Sequence, residues 1–148
     1  MGRGAALAAA VLGLGLAGGG VLTALLGIVN PGSVARMATG VVQEAVNTQA
    51  VGPTAIALGI ASATIGAGQV FAARSTLTGS RWGWASSIVL AGILGAMTLV
   101  GLVAVVVGYS REPGLRPILG SLALAALTIA YGVVAVVLAW SGPDEEAG

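Results

Sequence analysis

At 148 residues, 57% of them hydrophobic and only 7% charged, with a mean hydropathy of +1.01, the chain lies far from a soluble domain, which is about 45–50% apolar and about 25% charged. A polytopic membrane protein is the ordinary class that fits. The net charge of +1 gives no electrostatic footprint for nucleic acid. With no cysteine and no histidine, disulfides, thiolate metal sites, thiol nucleophiles and imidazole acid–base or haem chemistry are excluded.

The chain opens with Arg3 and then runs from Ala5 to Val29 without a charge. At about 1.5 Å per residue this stretch is long enough to cross a hydrocarbon core of about 30 Å. A secretory signal peptide is the competing reading, since Ala17-Gly18-Gly19-Gly20 imitates a cleavage site. The apolar run, however, continues well past the about 7–15 residues of a signal core. Gly15 and Gly19 form a GxxxG pair, with Gly13, Gly18 and Gly20 beside it. Such a face serves either packing within the bundle or contact with another chain.

Asn30-Pro31-Gly32 breaks the first helix, and Ser33 is placed to cap a short helix over 33–48 that ends before Gly52-Pro53. Arg36, Gly40, Gln43, Glu44 and Asn47 fall on one of its sides and Val34, Met37, Val41, Ala45 and Thr48 on the other. That amphipathic pattern predicts an interfacial helix lying between the first and second spans.

The second span is expected over 53–73, with the small residues Ala55, Gly59 and Ala63 at four-residue intervals as its packing face. Gln69 is the lone amide within a span, placed near the helix end, where an interhelical hydrogen bond or headgroup contact accounts for it. Arg74 and Arg81 bracket a turn containing Gly79-Ser80, and Trp82 and Trp84 follow, so cations and indoles together predict an interfacial anchor. The third span, 82–109, carries the stripe Ser87, Ala91 and Gly95 and ends at the anchor Tyr109. After the polar connection SREPGLRP comes a fourth span over 118–140, anchored by Trp140, and an acidic tail over 141–148.

The predicted fold is therefore all-α: one membrane domain of four spanning helices in a bundle, with a short amphipathic interfacial helix between spans 1 and 2. Arginine counting ties, with Arg3, Arg74 and Arg81 on one side and Arg36, Arg111 and Arg116 on the other. The weight of the first span and the free amine beside Arg3 lead to both termini being assigned to the cytoplasmic side of the cytoplasmic membrane. The all-arginine cation set with abundant Ala, Gly and Val is the composition of a GC-rich bacterial genome.

No ionisable residue falls within a span, whereas pumps, transporters and channels usually carry one. The glycine-rich LGLGLAGGG resembles the c subunit of rotary ATP synthases, but the carboxylate on which that family depends has no counterpart in 88–107 or 123–137. Small multidrug transporters fail likewise, for want of a glutamate in the first helix. The arrangement of apolar helix, basic turn ending Gly79-Ser80-Arg81-Trp82, apolar helix, Pro-containing connection and last helix with Tyr131 resembles small four-span bacterial membrane proteins with a G-R-x-W-type turn after the second helix. That resemblance implies topology and no activity.

No catalytic, metal or cofactor residue is assigned, and an enzyme is not expected. The leading expectation is a non-enzymatic accessory or structural subunit. It would associate with the lipid bilayer and, through the faces Gly15/Gly19, Ala55/Gly59/Ala63 and Ser87/Ala91/Gly95, with a membrane-protein partner or a second copy. The alternative is a small carrier or channel for a neutral or apolar solute, lined by Ser62, Thr64, Gln69, Ser86, Ser87, Thr98, Ser121 and Thr128. It requires those hydroxyls to converge on a cavity rather than bond back to their own helices.

Overall fold

A computed structural model describes residues 2–31, 48–109 and 115–142. Four helices run through them: α1 Gly2–Val29, α2 Thr48–Leu77, α3 Arg81–Tyr109 and α4 Leu115–Ser141. Each contains a stretch long and apolar enough to cross a membrane, over Gly2–Val29, Gly52–Leu77, Arg81–Val107 and Ile118–Ser141. The fold is thus all-α with four candidate spans. The expected interfacial helix over 33–48, apart from Thr48, and the acidic tail expected over 141–148, apart from Ser141 and Gly142, lie outside the described residues.

Two helix ends differ from the sequence-based expectation. Gly52-Pro53 does not stop a helix but lies within α2, which begins at Thr48. Proline there removes the hydrogen bond that would reach back to Gln49, a loss of one ladder bond close to the helix start, where several donors are unpaired anyway. At the other end α2 continues through Arg74 to Leu77, because Ser75, Thr76 and Leu77 include neither glycine nor proline to end it.

What ends α2 is Gly79, whose φ of 81° is the left-handed conformation open to glycine. The amide of Gly79 donates to Thr76 O at 3.0 Å and that of Ser80 to Ser75 O at 3.0 Å, the paired bonds of a Schellman cap. Ser80 then starts α3. Its Oγ accepts from the Gly83 amide at 3.3 Å, and its carbonyl accepts the first helical bond, from Trp84, at 3.0 Å. A stop and a start are fused in three residues, Thr78 to Ser80, so the end of α2 and the start of α3 turn back on one another in the first unit, where Thr76 bonds to Ser87.

The chain divides into two compact units, Met1–Gly13 with Gly68–Gly148, and Leu14–Ala67. In the second, α1 and α2 meet backbone to backbone. A Cβ on Gly20 would lie 2.5 Å from the Ala63 amide nitrogen and 2.6 Å from Gly59 O, and one on Gly59 would lie 2.5 Å from the Ala24 amide nitrogen. Further along, Gly27 faces Ala55, whose Cβ would be 3.0 Å away.

The first unit brings the start of α1 and the end of α2 together with α3 and α4. Its buried core is dominated by alanine (Ala5, Ala6, Ala9, Ala72, Ala73, Ala91), with Leu94, Tyr131, Val134 and Leu138 as the larger members. Large apolar side chains such as Phe71, Val100, Leu119 and Ile129 are exposed. Small side chains inside and large ones outside reverse the order of a water-soluble bundle.

Candidate functional site

The three small-residue faces expected from the sequence have different fates. Ala55 and Gly59 are buried and Ala63 half-buried, and this face packs on α1. Ser87 and Ala91 are fully buried, and Gly95 lies 3.4 Å, at its would-be Cβ, from Tyr131 Cβ. Gly15 and Gly19, in contrast, are exposed, and a Cβ on either would meet nothing within 4 Å. The glycines of α1 that pack on α2 in the second unit are Gly20 and Gly27. Gly18 is open as well.

The anchors also divide. Trp82 is 84% exposed and Trp140 89% exposed, and Arg74 and Arg81 are exposed on the same end of the hairpin. The Tyr109 side chain is outside the described residues. Trp84 turns inward: its indole Nε1–H donates to Leu138 O at 2.8 Å. Leu138 is within the last four residues of α4, where carbonyls run out of helical backbone donors. The Ser141 hydroxyl donates to Leu138 O at 3.1 Å as well. Trp84 thus ties the start of α3 to the end of α4, a role the sequence signals only through the Trp82/Trp84 spacing. Residues two apart on a helix stand about 200° apart, so two neighbouring indoles cannot share a face.

Around this tie a recess opens at the end of the first unit, lined by Arg3, Ala6, Thr76, Ser80, Trp84 and Leu138. The start of α1 lies against the end of α4, with a would-be Cβ on Gly2 3.0 Å from Ser141 Oγ. Arg3, the α2–α3 turn and the end of α4 therefore share one end of this unit. Arg36 and Arg111 lie outside the described residues.

Four of the hydroxyls named as lining a path bond to carbonyls of their own helix. Thr64 donates to Ile60 O, Thr98 to Gly95 O, Ser121 to Ile118 O and Thr128 to Leu124 O, all at 2.8–2.9 Å. Thr64, Thr98 and Ser121 thereby spend their one hydrogen on their own helix, while Thr128 shares its hydrogen between Leu124 O and Thr98 Oγ1. Two hydroxyl pairs also bridge helices: Thr76 with Ser87 at 3.0 Å and Thr128 with Thr98 at 3.0 Å. These join α2 to α3 and α4 to α3.

Gln69 departs most from its expected role. It is 0% exposed, and neither its Oε1 nor its Nε2 has a hydrogen-bond partner. It thus makes neither an interhelical bond nor a headgroup contact, and α2 continues eight residues beyond it. Among the described residues no cluster of carboxylates, histidines or cysteines is placed to hold a metal ion. Comparison with protein-family models, curated proteins and solved structures returns no match.

Proposed function

We propose that this chain is a multi-pass protein of the bacterial cytoplasmic membrane, a non-enzymatic accessory or structural subunit that associates with a partner protein or a second copy through a small-residue helix face. The observation carrying this reading is the open glycine face of α1. The faces at Ala55/Gly59 and Ser87/Ala91 are occupied within the chain, while Gly15, Gly18 and Gly19 have nothing within 4 Å of a would-be Cβ. Glycine lowers helix stability by about 0.5–1 kcal/mol relative to alanine, and three such residues with no internal contact bring no packing return unless another backbone approaches them. The outward-facing large apolar side chains support a lipid surround. The start of α1 lying against the end of α4 supports both termini on one side, assigned here to the cytoplasm.

The test is intact-complex mass spectrometry of the protein purified in nanodiscs, for the wild type and for Gly15→Leu/Gly19→Leu. The wild type is expected to retain a stoichiometric partner or a second copy, and the double variant, whose added side chains enter open space, is expected to fold and lose it. A monomeric wild type, or a double variant that assembles unchanged, overturns the reading. The rival, a carrier or channel for a neutral or apolar solute, draws support from the buried Gln69 and less from Thr64, Thr98 and Ser121, whose hydroxyls bond back to their own helices.

A further inference from the structure

The recess at the end of the first unit has a floor and a rim of different chemistry. Ala6 and Leu138 of its floor are fully buried, and the polar groups beside them are already engaged. The Trp84 indole donates to Leu138 O, the Ser141 hydroxyl to Val137 O and Leu138 O, and the Thr76 hydroxyl bonds to Ala72 O and to Ser87. The enclosed space is about 10 Å³, room for about one water, so a larger guest seats on the rim. There Arg3 is exposed and Ser80 half-buried. A guanidinium offers donors only, and the Ser80 Oγ, which accepts from the Gly83 amide, has its own hydrogen to give. The rim is thus built for an anion.

Its surroundings indicate which anion. The exposed indoles Trp82 and Trp140 mark this end as the level of lipid headgroups. Arg74 and Arg81 add positive charge there, and among the described residues there is no carboxylate to receive the amine of a zwitterionic lipid. Arg3, Leu7 and Val11 follow at four-residue steps along one side of α1, and Leu7 and Val11 are exposed. A cation at the end of a helix with large apolar side chains beneath it has the outline of a phospholipid, phosphate above and acyl chain below. A free phosphate would use only the upper half.

We propose that the rim of this recess binds the phosphate of an anionic phospholipid, with Arg3 as its cation, the Ser80 hydroxyl as a second donor, and Leu7 and Val11 as the bed of one acyl chain. The site rests on the reading of the chain as a membrane protein and adds a lipid of defined charge at a defined place. It lies within one unit and is independent of how the chain associates.

The experiment places the full chain in nanodiscs of phosphatidylglycerol and phosphatidylcholine in equal parts and reads the retained lipid by intact-complex mass spectrometry. One phosphatidylglycerol per chain is expected, in preference to phosphatidylcholine. The exposed change Arg3→Gln is expected to lower that retention about tenfold, the worth of one hydrogen bond to a charged group. Arg3→Lys, which keeps the charge, should retain more than Arg3→Gln, and Arg116→Gln, at the opposite end of α4 from Ser141, should retain as much as the wild type. Equal retention of the two lipids, or equal losses in Arg3→Gln and Arg116→Gln, overturns the site. A second arm adds inorganic phosphate to the protein in detergent: Arg3-dependent phosphate binding without retained phosphatidylglycerol would make the rim a free-anion site and overturn the lipid. A chain that does not enter nanodiscs overturns the membrane reading and this site with it.

Discussion

At the scale of single residues, Trp84 and Trp82 carry the same side chain to opposite ends. Trp82 stands 84% exposed, suited to an interface, while the Trp84 indole donates to the Leu138 carbonyl of α4, which also accepts from the Ser141 hydroxyl. Trp84→Phe keeps most of the ring and removes the donor, so stability should fall by about 0.5–1.5 kcal/mol, the net worth of one hydrogen bond. Trp82→Phe should leave stability within about 0.5 kcal/mol, as surface changes do. Chemical unfolding in detergent, read by circular dichroism, separates the two. Equal losses would mean that the Trp84 bond to Leu138 contributes nothing.

At the scale of helices, the glycines of α1 sort by neighbour rather than by motif. An added methyl at Gly20 or Gly59 would run into backbone atoms of the facing helix at 2.5–2.6 Å. Backbone cannot swing aside, so Gly20→Ala and Gly59→Ala should each destabilise by about 1–3 kcal/mol or more, as overpacking does. Gly15→Ala meets open space and should be neutral or stabilising, since alanine is the better helix former. Unfolding midpoints of the three variants check the contrast, and a Gly15→Ala loss equal to that of Gly20→Ala would contradict the packing described.

The same helices show what the sequence makes legible. The four apolar runs fix the existence and type of every described helix, because length and hydropathy alone decide them. Their packing phase is less accessible. Glycine occurs at 13, 15, 18, 19 and 20, around the whole circumference of α1, so α1 by itself does not indicate which side meets α2. The Ala55/Gly59/Ala63 face is legible, because it is a narrow stripe on a helix whose other sides carry Leu58, Ile60 and Phe71. Pro53 misleads because a break signal near a helix start costs only one bond. The solitary state of the Gln69 amide depends on what other helices place around it, which no local pattern encodes.

At the scale of the whole molecule, the spanning arrangement has a direct test. The chain has no cysteine, so a single introduced thiol reports its own side of a membrane. Thr78→Cys in the α2–α3 turn and Trp140→Cys at the end of α4 are expected to react with an impermeant maleimide from one side. Pro31→Cys, beyond the far end of the 28-residue α1, is expected to react from the other. Labelling of all three from a single side would rule out α1 as a span.

The three-residue junction of α2 and α3 also bears on the order of assembly. Loop-closure entropy grows with the logarithm of loop length, so the α2–α3 pair closes at the smallest entropic cost in the chain, whereas the α1–α2 crossing at Gly20 and Gly59 must close across residues 30–47. During synthesis the α2–α3 pair is complete once Tyr109 has been added, before any residue of α4 exists. Within the first unit the end of α2 and the start of α3 thus stand ready before α4, which then packs on α3 and offers its Leu138 carbonyl to the waiting indole of Trp84.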